Sequence, residues 1–472
     1  MDSNSALGNG KISKLVIKIA LPSMLAQFVN VLYSIVDRIF VGNIPEVGKI
    51  SLAGVGVCGP IVTMIGAFAF LIGIGGAPLM GIATGEGDRD RARKILSNSF
   101  IMLVVLAVIV TVIALLVRKP MLSVFGASPA IFPYAEKYFV TYVCGTIFAL
   151  LSIGLNQFII VQGYSNISMI SVIIGAVLNI ALDPLFIFVF HMGVQGAALA
   201  TIISQCASAV FAMVFLFVRM PIKITFGGYS GRIMGKILTL GLTPFLIIAL
   251  DNIMIIAMNA LLQKYGGTNG DNLITINTIV QSFMLILTMP LGGISGSTQS
   301  ILSYNYGAGH SKRVLQAQKY ILLACVIYTA VLFVLARVAG KPFVKLFTSD
   351  PELVAQSLRA MKICTLATIP LGIQYALVDG FTGMGLVKFS LPSSFFRKGV
   401  YFISLFLIPV ITKKASMIFY AEPISDIACV FLTVPLYLLN IKKILRKREE
   451  YLTTHHIHIQ PDDSTIGENS AQ

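Results

Sequence analysis

Charge is what this sequence has little of. Only 12% of its 472 residues are Asp, Glu, Lys or Arg, about half of the ~25% usual in a soluble domain, which excludes a chain whose whole surface is solvated by water. Cysteine is sparse and scattered. Cys58, Cys144, Cys206, Cys325, Cys364 and Cys429 sit singly in apolar segments without CxxC spacing, so they read as small buried hydrophobes, not as a metal site. Missing motifs narrow the field further. There is no Gly-x-x-x-x-Gly-Lys phosphate loop, which argues against transport driven by this chain's own ATP hydrolysis. Neither HExxH nor GxSxG occurs, which argues against an intramembrane hydrolase. The Gly54-x-Gly56-x-x-Gly59 run fits a dinucleotide fingerprint in letters only; it lies within an apolar stretch and reads as close helix packing. Residues 1–18 lack a short apolar stretch with a small-residue cleavage site, so no cleaved signal peptide is expected.

What the chain has is apolar length. Hydrophobic residues make up 56% of it, and runs without acids or bases recur throughout, as at 101–117, 139–162 and 322–336. About 20 apolar helical residues cross a bilayer, because backbone groups in lipid must find hydrogen-bond partners within their own segment. Runs and breakers predict spans at about 15–41, 50–83, 95–117, 133–158, 166–190, 194–218, 236–262, 272–304, 318–339, 355–382, 389–411 and 416–440. The organisation expected is an N-terminus over 1–14, a first lobe over 15–218, a linker over 219–235, a second lobe over 236–440 and a tail over 441–472. The tail, with His455, His456 and His458, reads as a disordered cytoplasmic segment and not as a metal site. The net charge of +15 collects at the ends of spans, which marks membrane flanks and excludes nucleic acid as a partner. Basic residues are richer on the side of the N-terminus, so a multi-pass protein of the cell (inner or plasma) membrane with both termini cytoplasmic is expected.

The halves repeat. An offset of about 222 positions aligns Pro22 with Pro244, Asn30 with Asn252, Gly85-x-Gly87 with Gly307-x-Gly309, Lys119-Pro120 with Lys341-Pro342, Phe125 with Phe347 and Pro129 with Pro351. An even number of spans per half leaves both halves the same way up, so the axis relating them runs along the membrane normal and the binding region expected is the cleft between them.

An ionisable group at the centre of a spanning helix carries an apparent cost of about 2.5–3.5 kcal/mol, so each one present needs a reason. In the first span Ser23, Gln27, Asn30, Ser34 and Asp37 fall within an arc of ~80°. Such a stripe must face the protein interior or a water-filled cavity. Tyr33, Phe28 and Met24 are candidates for apolar surface against a planar cation. In the fifth span Asn179 and Asp183 share a face, and Pro184 removes a backbone donor and frees the Ile180 carbonyl. Thr201, Ser204, Gln205 and Ser208 share a face in the sixth. The second half differs: Asn259 stands at the repeat position of Asp37, while Asn252, Asp251 and Asp379 are candidates for lining a cavity. Glu422 and Asp426 read as interfacial.

In their order, these residues resemble the multidrug and toxic compound extrusion (MATE) family, in its DinF/MepA-like branch. The resemblance covers about residues 12–445 and rests on Ala20-Leu21-Pro22, on 36–42 around Asp37, on Gly85-Glu86-Gly87-Asp88, on Leu178-Asn179 with 182–188, on 193–201, and on Tyr306-Gly307-Ala308-Gly309. It implies an all-α polytopic membrane protein, with twelve transmembrane helices in two parallel six-helix repeats around a V-shaped cleft. It also implies a secondary active antiporter that exports organic, mostly cationic compounds in exchange for inward H⁺ or Na⁺. The family's first-lobe cation site maps onto Asp37, Asn179, Asp183 and Thr201. The acids that the NorM-like branch carries in its seventh and tenth helices do not align cleanly with Asp251 and Asp379.

The mechanism expected is a coupled Asp37/Asp183 site that takes up H⁺, or Na⁺ on Asp37, Asn179, Asp183 and Thr201, from outside and changes the packing of the first helix. Gln27, Asn30, Tyr33, Ser34, Asn252, Asn259, Asp251 and Asp379 are the candidates for meeting substrate. The expected partners are small-molecule organic cations or drugs and the lipid bilayer, the chain acting as a monomer with no enzymatic activity and no cofactor beyond the coupling ion. Two alternatives stay open. A lipid-linked saccharide flippase would favour basic residues in the cleft, whereas the intramembrane charges other than Arg38 and Arg397 are mainly acidic. A non-transporting membrane receptor or scaffold would show no ion-coupled flux.

Overall fold

The apolar runs fold as helices in a computed structural model that describes residues 7–125, 127–348 and 350–455. Among the described residues eleven helices are each long and apolar enough to cross a membrane, and a bent pair makes a twelfth span. The first repeat comprises α1 (Ile12–Gly42), α2 (Gly48–Gly85), α3 (Arg89–Leu116), α4 (Phe132–Cys144 joined to Thr146–Val161), α5 (Ser165–Pro184) and α6 (Val194–Val214). The second comprises α7 (Gly231–Gly266), α8 (Gly270–Gly307), α9 (Ser311–Val338), α10 (Pro351–Cys364 joined to Thr368–Gly383), α11 (Val387–Thr412) and α12 (Ala421–Thr454). The chain is a multi-pass membrane protein.

The repeat extends to its irregularities. The fourth helix of the first half bends by 56° at Gly145, and that of the second half is interrupted by a 3₁₀ turn, Thr365–Ala367, in the same register. A Cβ on Gly145 would lie 2.4 Å from the Ile202 side chain, so the bend lets α4 come against α6. The two Gly-x-Gly loops are explained residue by residue. Gly87 and Gly309 take φ of 81° and 77°, the left-handed region that favours glycine. Gly85 and Gly307 sit where the backbones of α2 and α8 cross: a Cβ on Gly85 would meet the Tyr304 carbonyl at 2.0 Å, and one on Gly307 the Ile82 carbonyl at 2.2 Å. These contacts exchange under the repeat, so α2 and α8 cross on the pseudo-two-fold axis.

The lobes do not part at the linker. Leu15, Val16, Ile19 and Ala20, from the start of α1, pack into the core of the second lobe, and Ile237, from the start of α7, packs into that of the first. Gly75 and Gly241 let α2 and α7 approach, each facing a backbone carbonyl of the other helix, and Ser297 of α8 donates to the Ile19 carbonyl at 3.4 Å. All these contacts lie toward the membrane side that carries the N-terminus. The lobes meet at this end, the closed end of a V-shaped cleft.

Two features hold the closed end. The linker is strapped along α3 and α4: Gln162 exchanges bonds with Ile222, Ser97 accepts from the Thr225 amide, and Asn98 accepts from the Ser230 amide. Opposite it, α12 continues past the boundary at 440 to Thr454, so the start of the segment read as disordered tail is helical; His456 and His458 lie outside the described residues. This extension brings Arg448 to Glu86 of the first lobe, Nη2 to Oε1 at 2.5 Å, and to the Tyr306 and Gly307 carbonyls of α8 at 3.0 and 2.9 Å.

Candidate cation site and cleft

Small residues decide how close α5 and α6 can come. Ser171 and Ser208 exchange bonds, each hydroxyl donating to the other's carbonyl at 3.1 and 2.8 Å, and Gly175 leaves no room for a Cβ beside the Ser208 hydroxyl. Further along, Gly196 presses against the Phe186 backbone, just beyond Pro184, where the helix widens into a π-turn, Leu185–Val189. Proline cannot donate to the carbonyl one turn back, so a wider turn at this point follows from its chemistry.

This packing sets Asn179 and Asp183 beside Thr201. The Asn179 Nδ2 donates to Asp183 Oδ1 and to Thr201 Oγ1, both at 3.4 Å, and Thr201 Oγ1 donates to the Ala197 carbonyl at 3.0 Å. Helix α1 packs against α5 and brings the Asp37 carboxyl into electrostatic interaction with that of Asp183. Three oxygens here, Asp37 Oδ1, Asn179 Oδ1 and Asp183 Oδ2, are buried without a hydrogen-bond partner. Buried polar atoms are nearly always satisfied, and two carboxyls in mutual contact can share a proton but repel when both are ionised. Hard oxygen donors of this kind suit H⁺ or a small cation.

The rest of the α1 stripe serves different ends. Asn30 donates to Gln27 Oε1 at 3.1 Å, and Ser34 donates to the Asn30 carbonyl at 2.9 Å. Gln27 and the Ser23 carbonyl lie against Gly293 of α8, so the stripe runs from the contact between lobes to the acid pair. Tyr33 lies one turn before Asp37 on the same helix. Sequence reasoning missed two further residues here. Tyr138 and Tyr142 stack at 6.2 Å, and Gln205 Nε2 contacts the Tyr142 hydroxyl at 3.5 Å. Four-residue spacing on α4 was the available signal, but it is also the spacing of ordinary core residues.

The second-lobe candidates do not assemble into one site. Asn252 donates to the Ile248 carbonyl of its own helix, and Asn259 accepts from Asn277 of α8 at 2.9 Å. Asp379 accepts from Ser295 at 2.5 Å. Asp251 forms an ion pair with Lys398, a residue the sequence reading passed over. Glu422 and Asp426 belong to the same cluster: Asp426 is 1% exposed and binds Arg397 at 2.7 Å, and Glu422 interacts electrostatically with the same group of charges. Apolar length alone does not show that α11 presents these cations inward.

Comparison with known proteins decides the family. The MatE family model matches residues 22–185 and again 245–406, one match on each repeat. The chain belongs to the MatE family. Among curated MatE relatives, the multidrug export protein MepA of Staphylococcus haemolyticus (strain JCSC1435) is 27% identical over 379 residues, covering 79% of this chain and 81% of that protein. The MepA of Staphylococcus aureus (strain MSSA476) is 25% identical, with the same coverage. A solved structure described as the outward-facing conformation of a multidrug resistance MATE family transporter of the MOP superfamily superimposes with a TM-score of 0.84 at 21% identity, covering 93% of this chain and 98% of that one. The MatE fold, with its two six-helix lobes, is therefore this chain's fold.

Proposed function

We propose that this MatE protein is a secondary active multidrug exporter that releases organic, mostly cationic compounds from the cell in exchange for H⁺ or Na⁺. The observation that carries the reading is the convergence of three unpartnered oxygens from Asp37, Asn179 and Asp183 in the first lobe. The MepA relatives are named multidrug export proteins, which supports the export part of this reading. With the N-terminus cytoplasmic, the closed end of the cleft faces the cytoplasm and the splayed end faces outward, so the coupling ion enters from outside. Its arrival satisfies the orphaned oxygens and alters how α1 seats on α5. Pro22 and the polar stripe give α1 a place to adjust, and the stripe carries the change to α8. Ligands bias such a state change only through different affinities for the two states, so the drug and the ion must favour opposite ones. The alternative of a phosphate-bearing lipid substrate is disfavoured, because the second-lobe cations Arg397 and Lys398 stand against the carboxylates of Asp426 and Asp251, which would repel a phosphate.

The test is ethidium export from proteoliposomes under an imposed H⁺ gradient and, separately, an imposed Na⁺ gradient. Wild type is expected to respond to at least one, and Asp37→Asn and Asp183→Asn, reconstituted at equal density, are expected to respond to neither. Full export by both variants would remove this site from the coupling mechanism.

A further inference from the structure

The first, fifth and sixth helices of each repeat carry the polar clusters in both lobes. In the first lobe α1, α5 and α6 hold Asp37, Asn179, Asp183 and Thr201; in the second, α7, α11 and α12 hold Asp251, Arg397, Lys398, Glu422 and Asp426. The first cluster leaves acceptor oxygens without partners. The second brings its own cations.

Those two cations are held differently. Arg397 bonds Asp426 through Nε at 2.7 Å with both side chains nearly buried, at 14% and 1% exposure. Lys398 is paired with Asp251, and here the exposures diverge: 10% for the lysine and 46% for the aspartate side chain. A carboxylate on a spanning helix is costly against hydrocarbon, so the open face of Asp251 looks into the water of the cleft. Glu422, on the neighbouring helix, interacts electrostatically with Lys398, Arg397, Asp251 and Asp426, yet it forms no ion pair within 4.0 Å among the described residues. Three carboxylates thus share two cations. An ammonium on a flexible four-carbon stem changes partners readily, whereas a guanidinium fork seated on its carboxylate does not.

We propose that Asp251 is the cleft-side receptor for the positive centre of an organic cation, and that Lys398 is its displaceable internal counter-ion, moving to Glu422 when the cation arrives. The exchange leaves no charge bare: the ligand takes the lysine's place on Asp251, and the lysine takes up the carboxylate that lacked a partner. The inference rests on the reading of this chain as a cation exporter and places the cation in the second lobe, apart from the coupling site.

The measurement is the Kd of ethidium for the purified full chain in detergent, at one fixed low ionic strength, followed by fluorescence. Lys398→Gln removes the internal competitor and is expected to bind about tenfold more tightly, a change of ~1.4 kcal/mol. Glu422→Gln breaks no ion pair but removes the lysine's second seat; it is expected to bind about tenfold more weakly. Asp251→Asn is expected to lose most of the affinity. A Lys398–Asp251 pair that merely fastened α11 to α7 would leave Glu422→Gln at the wild-type Kd. That result overturns the exchange, and Glu422→Gln decides the matter even if Lys398→Gln fails to fold. Wild-type binding with all three variants unchanged sinks this inference and leaves the exporter reading standing. If wild type binds neither ethidium nor tetraphenylphosphonium, both fall together.

Discussion

Substituting Glu86 by Gln should loosen the end at which the lobes meet. Glu86 is 6% exposed and Arg448 11%, and the pair joins α12 of the second lobe to the α2–α3 turn of the first. Arg448 keeps its bonds to the Tyr306 and Gly307 carbonyls, so the arginine is not left wholly unpaired. The loss is one charge-assisted hydrogen bond between lobes, about 1.5–3 kcal/mol, short of the ~3–5 kcal/mol that follows when a buried charge is orphaned. It is a loss only in the conformation closed at this end. Taking ~2 kcal/mol, the ratio of the two conformations shifts by about 30-fold, enough to raise a minor state of ~1% to about a quarter of the population. The far ends of α3 and α9 report it. Leu116 and Val338 occupy equivalent repeat positions on the splayed side and are 76% and 75% exposed, so spin labels there, in a background without the six cysteines, measure the opening by pulsed electron resonance. Glu86→Gln should add a population at shorter distance. Arg91→Gln is the control: Arg91 also binds Glu86, but is 42% exposed, and such pairs contribute only ~0–1 kcal/mol. A Glu86→Gln distance distribution identical to wild type would refute the idea that this ion pair helps hold the lobes together.

Other expectations concern packing and buried charge. Gly307→Ala places a Cβ 2.2 Å from the Ile82 carbonyl and should destabilise the detergent-solubilised protein by about 1–3 kcal/mol. Gly59→Ala meets nothing within 4 Å and should be neutral or mildly stabilising, so equal melting temperatures for the two would contradict the backbone crossing. Arg397→Met leaves Asp426, 1% exposed, without its cation and should cost about 3–5 kcal/mol. The double variant Arg397→Met/Asp426→Leu should recover most of that loss, and a double variant no more stable than the single would mean the arginine acts through something other than this pair.

The features legible in the sequence were those that depend on one helix at a time. Twelve spans followed from apolar length, and the repeat followed from aligned breakers, because Gly85 and Gly307 answer the same steric demand at the same crossing. Asn179 and Asp183 were legible as a pair because four-residue spacing fixes a shared face. What one helix cannot encode is which neighbour fills its face. The Glu86–Arg448 contact joins residues 362 positions apart, and nothing local to either announces it. The sharing of α1 and α7 between lobes is hidden for a similar reason: the linker marks where the chain crosses over, whereas the cores form wherever apolar faces meet. Lys398 was missed because its place within the span 389–411 does not say which neighbour it faces; the packing of α11 turns both cations toward α7 and α12.

That register bears on how two lobes from one repeat come to differ. A buried cluster of carboxylates must be balanced by protons, by cations from solution or by cations of the chain itself. At Asp37 and Asp183 no ion pair with a basic side chain forms among the described residues, and three oxygens are left over, so balance has to come from outside. At Asp251 and Asp426 the chain provides it through α11. Removing the α11 cations should therefore make the second lobe responsive to solution cations as well. Lys398→Gln, reconstituted beside wild type, is expected to show protection against thermal unfolding by added tetraphenylphosphonium that exceeds the wild-type effect. Protection no greater than that of wild type would mean that the charge difference between the lobes does not govern where cations bind.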